Sequence, residues 1–514
     1  MNNKIIIGTR GSDLALWQAN YVKGQLEDLG QNVEIKIIQT KGDKIQHLSF
    51  DKIEGKGFFT KEIETALIQK EIDLAVHSLK DLETSQPTGL CIGAIPKRED
   101  AADCILINID SIDNTKPLSL VENAVVGSSS SRRKNQLKLF REDIEVKDLR
   151  GNVPTRINKL KSGNYDAIIL AKAGLKRLKI NLSNFHVIDL DPAHFISAPG
   201  QGALGLQIRS NDLSLKKIVT KLNHPSSVDI VNFEREILNK IGGGCHSPFG
   251  VYSKFNNEGE RMTWVTYANE INQTPIRFIV YGNDINLILN KLEISPSSKK
   301  LWISRTLKKD SVFKKLLESA NFTLLNQSLI EKKIISLEKL PDCNWVFFNS
   351  TFSYDSIANL KGSLKSKKIA AFGKSTAEHL KKQNLNIDFI GNGSPNDIAK
   401  QFAETIKNHE IVFFPSSNRS LGTVEKELLD SNKEVIITYQ TNFLEKNIGK
   451  HDYLVFTSPS NVLSYLQLNS INDEKVISIG PSTTMALKNA GISNIYESYE
   501  SSEIALADTV LSLN

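Results

Sequence analysis

Residues 125–140, VVGSSSSRRKNQLKLF, contain the pattern that decides the fold of the first half of this chain. A short apolar run is followed by four serines, two arginines and a segment whose apolar residues fall on one helical face. This order is typical of a buried strand, a loop and a helix. Hydroxyls, free backbone N–H groups and two guanidinium groups at a helix start predict a site for an anion. A flexible linker is the alternative, but a linker seldom runs directly into paired arginines and an apolar helix face.

The same order of strand, cationic loop and helix recurs along the first 220 residues. Residues 5–7 predict a buried strand, and Arg10 and Ser12 follow it where a helix begins. Residues 149–163, LRGNVPTRINKLKSG, and residues 166–177, DAIILAKAGLKR, repeat the scheme with further cations. Open α/β sheets bind anions at such junctions. The first part of the chain is therefore predicted to be α/β.

One further strand ends in residues of opposite charge. Residues 73–76 predict a buried strand, and HSLKD follows it with Lys80 and Asp81. A lysine and an aspartate at the carboxyl end of a parallel strand favour a functional site. A solvated ion pair, worth less than about 1 kcal/mol, is the alternative.

Two glycine-rich segments carry chemically useful side chains. GKGFF, at residues 55–59, contains Lys56 and Phe59 and is either a plain connection or a mobile lid. GGGCHSP, at residues 242–248, sets Cys245 among three glycines and a proline. Glycines let the backbone approach a bound group closely, which favours a displayed thiol. An ordinary turn with an inward-facing cysteine is the alternative, since free cysteine is often buried.

Length and composition restrict the class of protein. A chain of 514 residues should divide into about three to five domains. No apolar run approaches about 18 residues, so we expect neither a secretory signal nor a membrane span. The four cysteines show no CxxC spacing, which argues against a disulfide framework and a zinc site. A reducing cytoplasm is the expected compartment, and no metal is expected.

The arginines are unevenly distributed. The net charge is only +6, but 12 of the 14 arginines precede residue 300. Arginine binds carboxylate or phosphate through two parallel hydrogen bonds, so this bias suggests an anionic ligand in the first part. A nucleic-acid site is the competing hypothesis. Apart from the adjacent Arg132 and Arg133, the arginines occur singly in predicted loops rather than along a basic helix or among aromatics, which weakens the nucleic-acid hypothesis.

An internal duplication marks the part after residue 300. WVFFNS at 345–350 resembles YLVFTS at 453–458, and IAAFGKSTA at 369–377 resembles VISIGPSTT at 476–484. The spacing between the copies is nearly constant, which predicts two similar α/β lobes. Each copy ends in serine or threonine at a helix start. Such hydroxyls are usually N-caps, and a minority also contact ligand.

The motifs of the first part, taken together and in order, resemble hydroxymethylbilane synthase, the family also called porphobilinogen deaminase. The resemblance covers about the first 295 residues. It rests on TRGSDLALWQA from Thr9, TKGD from Thr40, GKGFFTKEIETAL from Gly55, AVHSLKD from Ala75, SSRR from Ser130, LRGNVPTR from Leu149, DAIILAKAGLKRL from Asp166, PGQGALG from Pro199 and GGGCHSPFG from Gly242.

This resemblance implies an enzyme that joins four porphobilinogen units head to tail, with release of ammonia, into linear hydroxymethylbilane. It implies a dipyrromethane cofactor attached as a thioether to Cys245. Asp81 matches the catalytic aspartate, Lys80 is a second catalytic candidate, and Phe59 matches a ring beside the substrate. The residues expected to bind substrate and cofactor carboxylates are Arg10, Ser12, Lys56, Ser129, Ser130, Arg132, Arg133, Arg150, Arg156, Arg177 and Gln201.

The second part resembles uroporphyrinogen-III synthase, in which two α/β lobes enclose the linear tetrapyrrole, invert its last ring and close the macrocycle. The matching segments are VFFNS, AAFGKSTAEHL, IVFFPSSNRS, ITYQT, LVFTSPSNV and ISIGPSTTMAL. Tyr439 matches a tyrosine that assists loss of the terminal hydroxyl. Ser416, Ser458 and Thr483 match hydroxyls that face the cleft.

The two resemblances together imply an α/β fold with five domains or lobes. Two doubly wound domains like those of periplasmic binding proteins are expected first, then a small α+β domain with the cysteine, then the two-lobed synthase-like part. The expected ranges are 1–98 with 196–222 for the first deaminase domain, 102–192 for the second, 225–297 for the third, 300–332 with 440–514 for the first lobe, and 335–437 for the second lobe.

The sequence thus predicts a cytoplasmic, bifunctional and monomeric tetrapyrrole enzyme whose partners are small molecules, with no nucleic acid and no membrane. Two alternatives from other classes stay open. One is a non-catalytic anion-binding protein of the transport type, against which Asp81 and Cys245 count. The other retains the first activity and makes residues 300–514 a structural or regulatory appendage.

Overall fold

The computed structural model describes residues 4–40, 60–242, 248–271, 273–293 and 298–514. The chain divides into two compact units, Met1–Pro296 and Ser297–Asn514, which are described separately below. The strands of the described residues form five sheets, three in the first unit and two in the second. In the described ranges, no helix is both long enough and apolar enough to span a membrane.

The first sheet combines an early part of the chain with one later strand. Strand β1 is parallel to both of its neighbours, whereas the later strand β10 runs antiparallel to the two strands beside it. In spatial order the strands are β2 (Val33–Ile37), β1 (Ile5–Thr9), β3 (Leu74–Ser78), β10 (Leu204–Arg209) and β4 (Leu90–Ala94).

The second sheet lies wholly between residues 103 and 190. Its central strands are buried and apolar, as expected for a sheet covered on both faces. In spatial order the strands are β7 (Glu145–Lys147), β6 (Val125–Gly127), β8 (Ala167–Ala171), β5 (Asp103–Asn108) and β9 (Phe185–Leu190).

Helices connect and cover these strands. Ser12, Asn152 and Asp212 each accept a hydrogen bond from a backbone N–H in the first turn of the helix that follows, which explains where three of the helices begin. The helices among the described residues of the first unit are α1 (Asp13–Asp28), α2 (Lys61–Ile68), α3 (Ser131–Phe140), α4 (Val153–Lys161), α5 (Lys172–Leu178), α6 (Leu213–Val219), α7 (Pro225–Lys240) and α8 (Ile285–Glu293).

Two extended connections cross between the first and second sheets, one before β5 and one before β10. They touch where the backbone N–H of Glu99 donates to the carbonyl of Gly202. Gly202 has a φ of +86°, and a Cβ at this position would lie 2.3 Å from the carbonyl oxygen of Glu99. Glycine is therefore required at this crossing.

The third sheet is a small antiparallel meander of β11 (Phe249–Phe255), β12 (Arg261–Tyr267) and β13 (Ile276–Tyr281). Helix α7 joins it to the rest of the unit through a buried carboxylate. Glu234 accepts two hydrogen bonds from Arg98, at 2.8 and 3.0 Å. It also accepts the backbone N–H groups of Gly200 and Ser253. One side chain thus connects both crossings, α7 and β11.

The second unit contains two sheets. The fourth sheet is parallel throughout, with the order β15 (Phe322–Asn326), β14 (Lys299–Ile303), β22 (Tyr453–Phe456), β23 (Lys475–Ser478) and β24 (Ile495–Glu497). The fifth sheet has the order β16 (Ile330–Ile334), β21 (Lys433–Phe443), β20 (Val412–Ser417), β17 (Trp345–Phe348), β18 (Lys368–Ala371) and β19 (Phe389–Ile390).

Nine helices of the described residues belong to the second unit. They are α9 (Val312–Ser319), α10 (Thr351–Asp355), α11 (Lys361–Leu364), α12 (Lys374–Lys382), α13 (Pro395–Thr405), α14 (Thr423–Lys426), α15 (Pro459–Tyr465), α16 (Pro481–Asn489) and α17 (Glu503–Ser512). The sequence-based lobe borders, at 332–335 and 437–440, fall inside strands β16 and β21. These two strands pair antiparallel, so residues 330–334 and 433–443 lie in one sheet.

The buried Glu234 network generates a stability prediction. The Arg98 and Glu234 side chains are 10% and 0% exposed. Glu234→Gln leaves the guanidinium buried without its counter-charge, so we expect a loss of about 3–5 kcal/mol in unfolding free energy. The shift of the urea transition that reports on the first unit measures it. Glu236→Gln is the matched control: its carboxylate is 55% exposed and 3.9 Å from Lys240. We expect it to change stability by less than about 1 kcal/mol, and equal effects of both changes would contradict the prediction.

Candidate active site

Lys80 and Asp81 lie in a short 3₁₀ turn, Leu79–Asp81, directly after β3. Leu79 is fully buried and anchors the turn, and Gly205 on β10 leaves room for it: a Cβ on Gly205 would lie 2.4 Å from Leu79 Cδ1. Asp81 is exposed, and Lys80 is half-buried. The turn thus presents a carboxylate to solvent from a rigid base.

Charges from the second sheet act on this turn. Burial lowers the pKa of Lys80, and the guanidinium groups of Arg132 and Arg133 lower it further, whereas Asp81 and Asp103 oppose the shift. These four groups therefore lie near enough to Lys80 to act on its charge. The structure brings together site candidates that are separated by about 50 residues in sequence.

Asp103, at the start of β5, organises the two arginines. Its carboxylate accepts Arg132 Nη2 at 2.9 Å and Arg133 Nη2 at 2.6 Å, and its side chain is 0% exposed. Although burial raises it, the pKa of Asp103 is held far below its usual range by these two guanidinium groups. The other Nη atoms donate to backbone carbonyls, Arg132 to Ile196 and Arg133 to Ile169.

Arg133 and Gln201 each retain a buried polar atom without a hydrogen-bond partner among the described residues, namely Arg133 Nε and Gln201 Oε1. Gln201 Nε2 donates to Asp103 and to the carbonyl of Ala101. Gln201, expected to bind carboxylates, thus holds the crossing beside Asp103 with its amide N–H groups. Arg132 also donates to protein acceptors through both Nη atoms, and the Nε–H of Arg133 lacks a partner among the described residues.

Asp103 was missed by the sequence analysis. A charged residue at the head of an otherwise apolar strand, DCILIN, is the signal that could have identified it. Such a carboxylate needs a buried cation, because an isolated buried charge is strongly unfavourable.

The loops after β6 and β7 are joined by Ser129. Its Oγ donates to the carbonyl of Leu149 and accepts the N–H of the same residue, both at 3.0 Å. Ser130 caps α3 without a side-chain cap hydrogen bond. The serine run is therefore an ordered loop between β6 and α3 and not a flexible linker.

Arg156 belongs to the same positive group. Its Nε donates to the carbonyl of Gly151 at 2.8 Å. Burial lowers its pKa to about 10, with Arg133 and Arg150 acting in the same direction and Asp81 opposing. Arg150 and Arg156 therefore extend the cationic group next to Asp81.

The other matched residues of the first unit lie after β1, on α5 or outside the described residues. Arg10 follows β1, and Ser12 caps α1 by accepting the N–H of Ala15. Arg177 is buried, donates to the carbonyl of Gly202 at 2.6 Å and has its guanidinium carbon 5.8 Å from the ring centroid of Trp17. Lys56, Phe59 and Cys245 lie outside the described residues.

The donor set suits a ligand with several carboxylates. Asp81 and Asp103 are the two carboxylates of the group, and Asp103 is already paired. The cations of the group interact electrostatically with one another, with Asp81 or with His77 at the end of β3. They are Arg10, Lys80, Arg132, Arg133, Arg150 and Arg156. The unmatched buried N–H of Arg133 shows that one donor in this group still lacks an acceptor among the described residues.

In the second unit, Tyr439 lies on β21 within a group of aromatic and basic side chains. It is 7% exposed, its ring centroid is 5.0 Å from that of Phe352, and Lys332 Nζ lies 5.8 Å from the Tyr439 ring. Burial raises the pKa of Tyr439, and a hydrogen bond with Ser350 acts in the opposite direction. Burial thus makes this phenol a weaker acid than an ordinary tyrosine.

Ser416 is placed on β20, beside the strand that carries Tyr439. Its Oγ donates to Glu425 Oε1 at 3.4 Å, and Asn349 Nδ2 donates to the same oxygen at 3.1 Å. Glu425 Oε2 is buried without a hydrogen-bond partner in the described part of the chain. The sequence analysis did not select Glu425, because no local pattern distinguishes it from a helix-surface glutamate.

Ser458 and Thr483 lie where helices begin after two strands of the fourth sheet, Ser458 after β22 and Thr483 after β23. Ser458 is an N-cap that accepts the N–H of Asn461 and its side-chain amide. Thr483 is 1% exposed, and its hydroxyl has no hydrogen-bond partner among the described residues. The structure thus puts Ser416 and Tyr439 in one sheet and these two hydroxyls in the other.

Two family models match the chain in succession. Residues 5–217 match the model described as Porphobilinogen deaminase, dipyromethane cofactor binding domain. Residues 311–508 match the model described as Uroporphyrinogen-III synthase HemD. Among solved structures, the chain is similar to uroporphyrinogen III synthases of Thermus thermophilus (a mutant; 16% identity, 42% of this chain, 98% of that chain, TM-score 0.33) and Helicobacter pylori (17%, 42%, 100%, TM-score 0.32).

Similar proteins named porphobilinogen deaminase match the first part of the chain. The chain is 51% identical over 248 residues to porphobilinogen deaminase of a Nitratiruptor species, which covers 48% of this chain and 78% of the relative. It is 42% identical over 290 residues to the Helicobacter hepaticus enzyme, covering 55% of this chain and 88% of the relative. The chain therefore belongs to the porphobilinogen deaminase family, with that family's dipyrromethane cofactor-binding domain, and continues into a uroporphyrinogen-III synthase domain: it is a transferase joined to a lyase of porphyrin biosynthesis.

Proposed function

We propose that the first unit joins four porphobilinogen units into hydroxymethylbilane at the group formed by Asp81 and the surrounding cations, and that the second unit cyclises this product to uroporphyrinogen III. The observation that carries the first proposal is the convergence of Asp81 and Lys80, in the turn after β3, with Arg133 of α3 and Arg156 of α4.

The cations bind the substrate's carboxylates in this proposal. Each pyrrole unit has two carboxylates, so a growing chain needs many positive partners, and guanidinium groups bind carboxylates with two parallel hydrogen bonds. Arg133 Nε, Arg150 and Arg156 supply donors beside Asp81. Arg132 and Gln201 support them through Asp103.

The cofactor's proposed tether is Cys245, and the same cations would hold its carboxylates. When bound, dipyrromethane supplies the primer to which substrate units are added. The residues present fit such a group, because a polyanion needs an excess of fixed cations and the site has one.

Asp81 is proposed to act on the reacting ring. Loss of ammonia from porphobilinogen leaves a cation delocalised over the pyrrole. An exposed carboxylate on a rigid turn can stabilise this charge at the ring nitrogen and accept or return a proton there. Lys80, whose pKa is lowered by burial, lies beside it as a proton donor to the departing amine.

In the second unit, Tyr439 is proposed to donate a proton as the terminal hydroxyl of hydroxymethylbilane leaves as water. A tyrosine side chain is protonated at neutral pH, so the phenol carries a proton that it can donate. Ser416, Ser458 and Thr483 are proposed to bind the substrate through their hydroxyls.

Covalent linkage of the two units raises the local concentration of the second enzyme around the hydroxymethylbilane that the first unit releases. In this proposal the linkage thereby suppresses spontaneous closure of hydroxymethylbilane to an isomer other than type III. A monomeric state and a cytoplasmic location stay predictions.

The cofactor tether has a direct test by intact mass of the denatured full chain. We expect a dipyrromethane-sized increment in the wild type, its absence in Cys245→Ser, and its retention in Cys91→Ser, which changes another free thiol. An unmodified wild-type mass in an active preparation would overturn the assignment of Cys245 as the tether.

Replacing the proposed catalytic carboxylate separates chemistry from binding. We expect Asp81→Asn to lower kcat for porphobilinogen consumption by at least about 100-fold with a small change in KM, because general acid–base groups contribute about 10²–10⁴-fold. Steady-state kinetics measure this. Glu83→Gln, two residues further along the same segment, is the control and should stay within about threefold; an unchanged kcat in Asp81→Asn would exclude the proposed role.

The role of the second unit is tested by the isomer composition of the product. We expect Tyr439→Phe to leave hydroxymethylbilane formation intact and to lower the enzymatic rate of type III formation by at least about tenfold, since the phenol proton is lost. Tyr354→Phe, a buried tyrosine of the same sheet region, is the control. If wild-type chain given hydroxymethylbilane yields no type III isomer above the spontaneous background, the second unit is an appendage.

A further inference from the structure

Helix α7 makes direct contact with the segment that carries Lys80 and Asp81. Arg235, in the middle of the helix and 6% exposed, donates through Nη1 to the carbonyls of Leu79 and Leu82, both at 2.9 Å. Its Nη2 donates to the carbonyl of Glu83 at 2.7 Å. One guanidinium group therefore binds three backbone carbonyls on both sides of Asp81.

Few other backbone hydrogen bonds hold this segment. Leu79 N–H donates to Ala203, and Leu82 N–H donates back to Leu79 at 3.3 Å. Neither bond fixes the carbonyls of Leu82 and Glu83, although Gln86 Nε2 also donates to the Glu83 carbonyl at 2.7 Å. Arg235 binds all three carbonyls in a fixed planar arrangement, which a flexible single ammonium cannot reproduce.

A second side chain of α7 extends the contact. Asn239 Oδ1 accepts the hydroxyls of Thr84 and Ser85, at 3.0 and 3.1 Å. Asn239 is exposed, so its substitution affects this contact without opening a core. The helix thus binds the segment at two places, one turn apart.

The helix itself is rigidly placed. The residue before Arg235 is Glu234, which is bound by Arg98 and by two backbone N–H groups. Val231, one turn earlier, packs in a buried cluster with Leu79 and Leu82. Polar and apolar contacts of α7 therefore act on the same short segment.

We propose that Arg235 is a positioning residue for the deaminase reaction, acting through the backbone of residues 79–83 to hold the Asp81 carboxylate in its productive orientation, with Asn239 in a supporting role. This inference rests on the proposed role of Asp81. A displacement of about 1 Å in a catalytic group can cost about 100-fold in rate. Loss of the hydrogen bonds from Arg235 to three backbone carbonyls should therefore lower kcat measurably.

The test compares Arg235→Lys with Arg277→Lys in the full chain. Arg277 is also a buried arginine that donates through its two Nη atoms to backbone carbonyls, but these belong to Ala193 and His194, outside the 79–83 segment. We expect Arg235→Lys to lower kcat by about 10- to 100-fold with KM within about threefold. Arg277→Lys should stay within about threefold of wild type even if both variants melt earlier.

Hydrogen–deuterium exchange gives a readout that is independent of turnover. We expect faster exchange of the amides of residues 79–85 in Arg235→Lys and, to a smaller extent, in Asn239→Ala, and no change there in Arg277→Lys. If Arg235→Lys does not fold, Asn239→Ala decides: unchanged exchange and unchanged kcat in that variant overturn the proposal.

A double-mutant cycle with Asp81→Asn identifies the group through which Arg235 acts. If Arg235 works through Asp81, Arg235→Lys has little further effect on the residual rate of Asp81→Asn. A full, multiplicative loss overturns the positioning role. A normal kcat in Asp81→Asn alone contradicts the proposed function, whereas a slow Asp81→Asn with a normal Arg235→Lys contradicts only the inference.

Discussion

The buried carboxylate of Asp103 is the interaction on which the arrangement of the first unit depends. Two guanidinium groups and one amide converge on it at 2.6–2.9 Å. Buried charges are tolerated only when they are paired and hydrogen-bonded, so the carboxylate and both arginines must be placed together. These hydrogen bonds to Asp103 therefore hold α3 against β5 and against the crossing at Gln201. They also leave Arg133 Nε as a fixed donor in the group that acts on Lys80.

Helix α7 provides a second rigid reference. Glu234 and Arg235 are neighbours in sequence but bind different parts of the unit, the two crossings and the Asp81 segment respectively. Because the acidic side chain accepts N–H donors and the basic one binds carbonyls, one turn of helix satisfies the backbone of three other segments. Reactive groups on loops gain precision when such a scaffold supports them.

The candidate site residues of the second unit are hydroxyl side chains on strands and at helix starts rather than a group of arginines. Apart from the antiparallel pair β16–β21, the strands of its two sheets are parallel, and hydroxyl side chains lie where helices begin. Strand β21 carries Tyr439 beside Phe352 and Lys332. Local sequence patterns predicted the helix starts well, since Ser458 lies at an N-cap as expected. They gave no indication of the buried Glu425 on α14, whose partners are Asn349, directly after β17, and Ser416 on β20.

The sequence by itself determined the α/β succession, the family, and the residues whose chemistry is evident from local motifs, such as Asp81 after its strand and the arginines at helix starts. These depend on periodicity, capping and charge within about ten residues. Only the tertiary structure decided which of those side chains are already occupied, as with Arg132 and Gln201 at Asp103, and which supports lie far away, as with Glu234 and Arg235. The physical reason is that a buried charge or carbonyl is satisfied by whatever donor the fold brings near, and sequence separation carries no information about that partner.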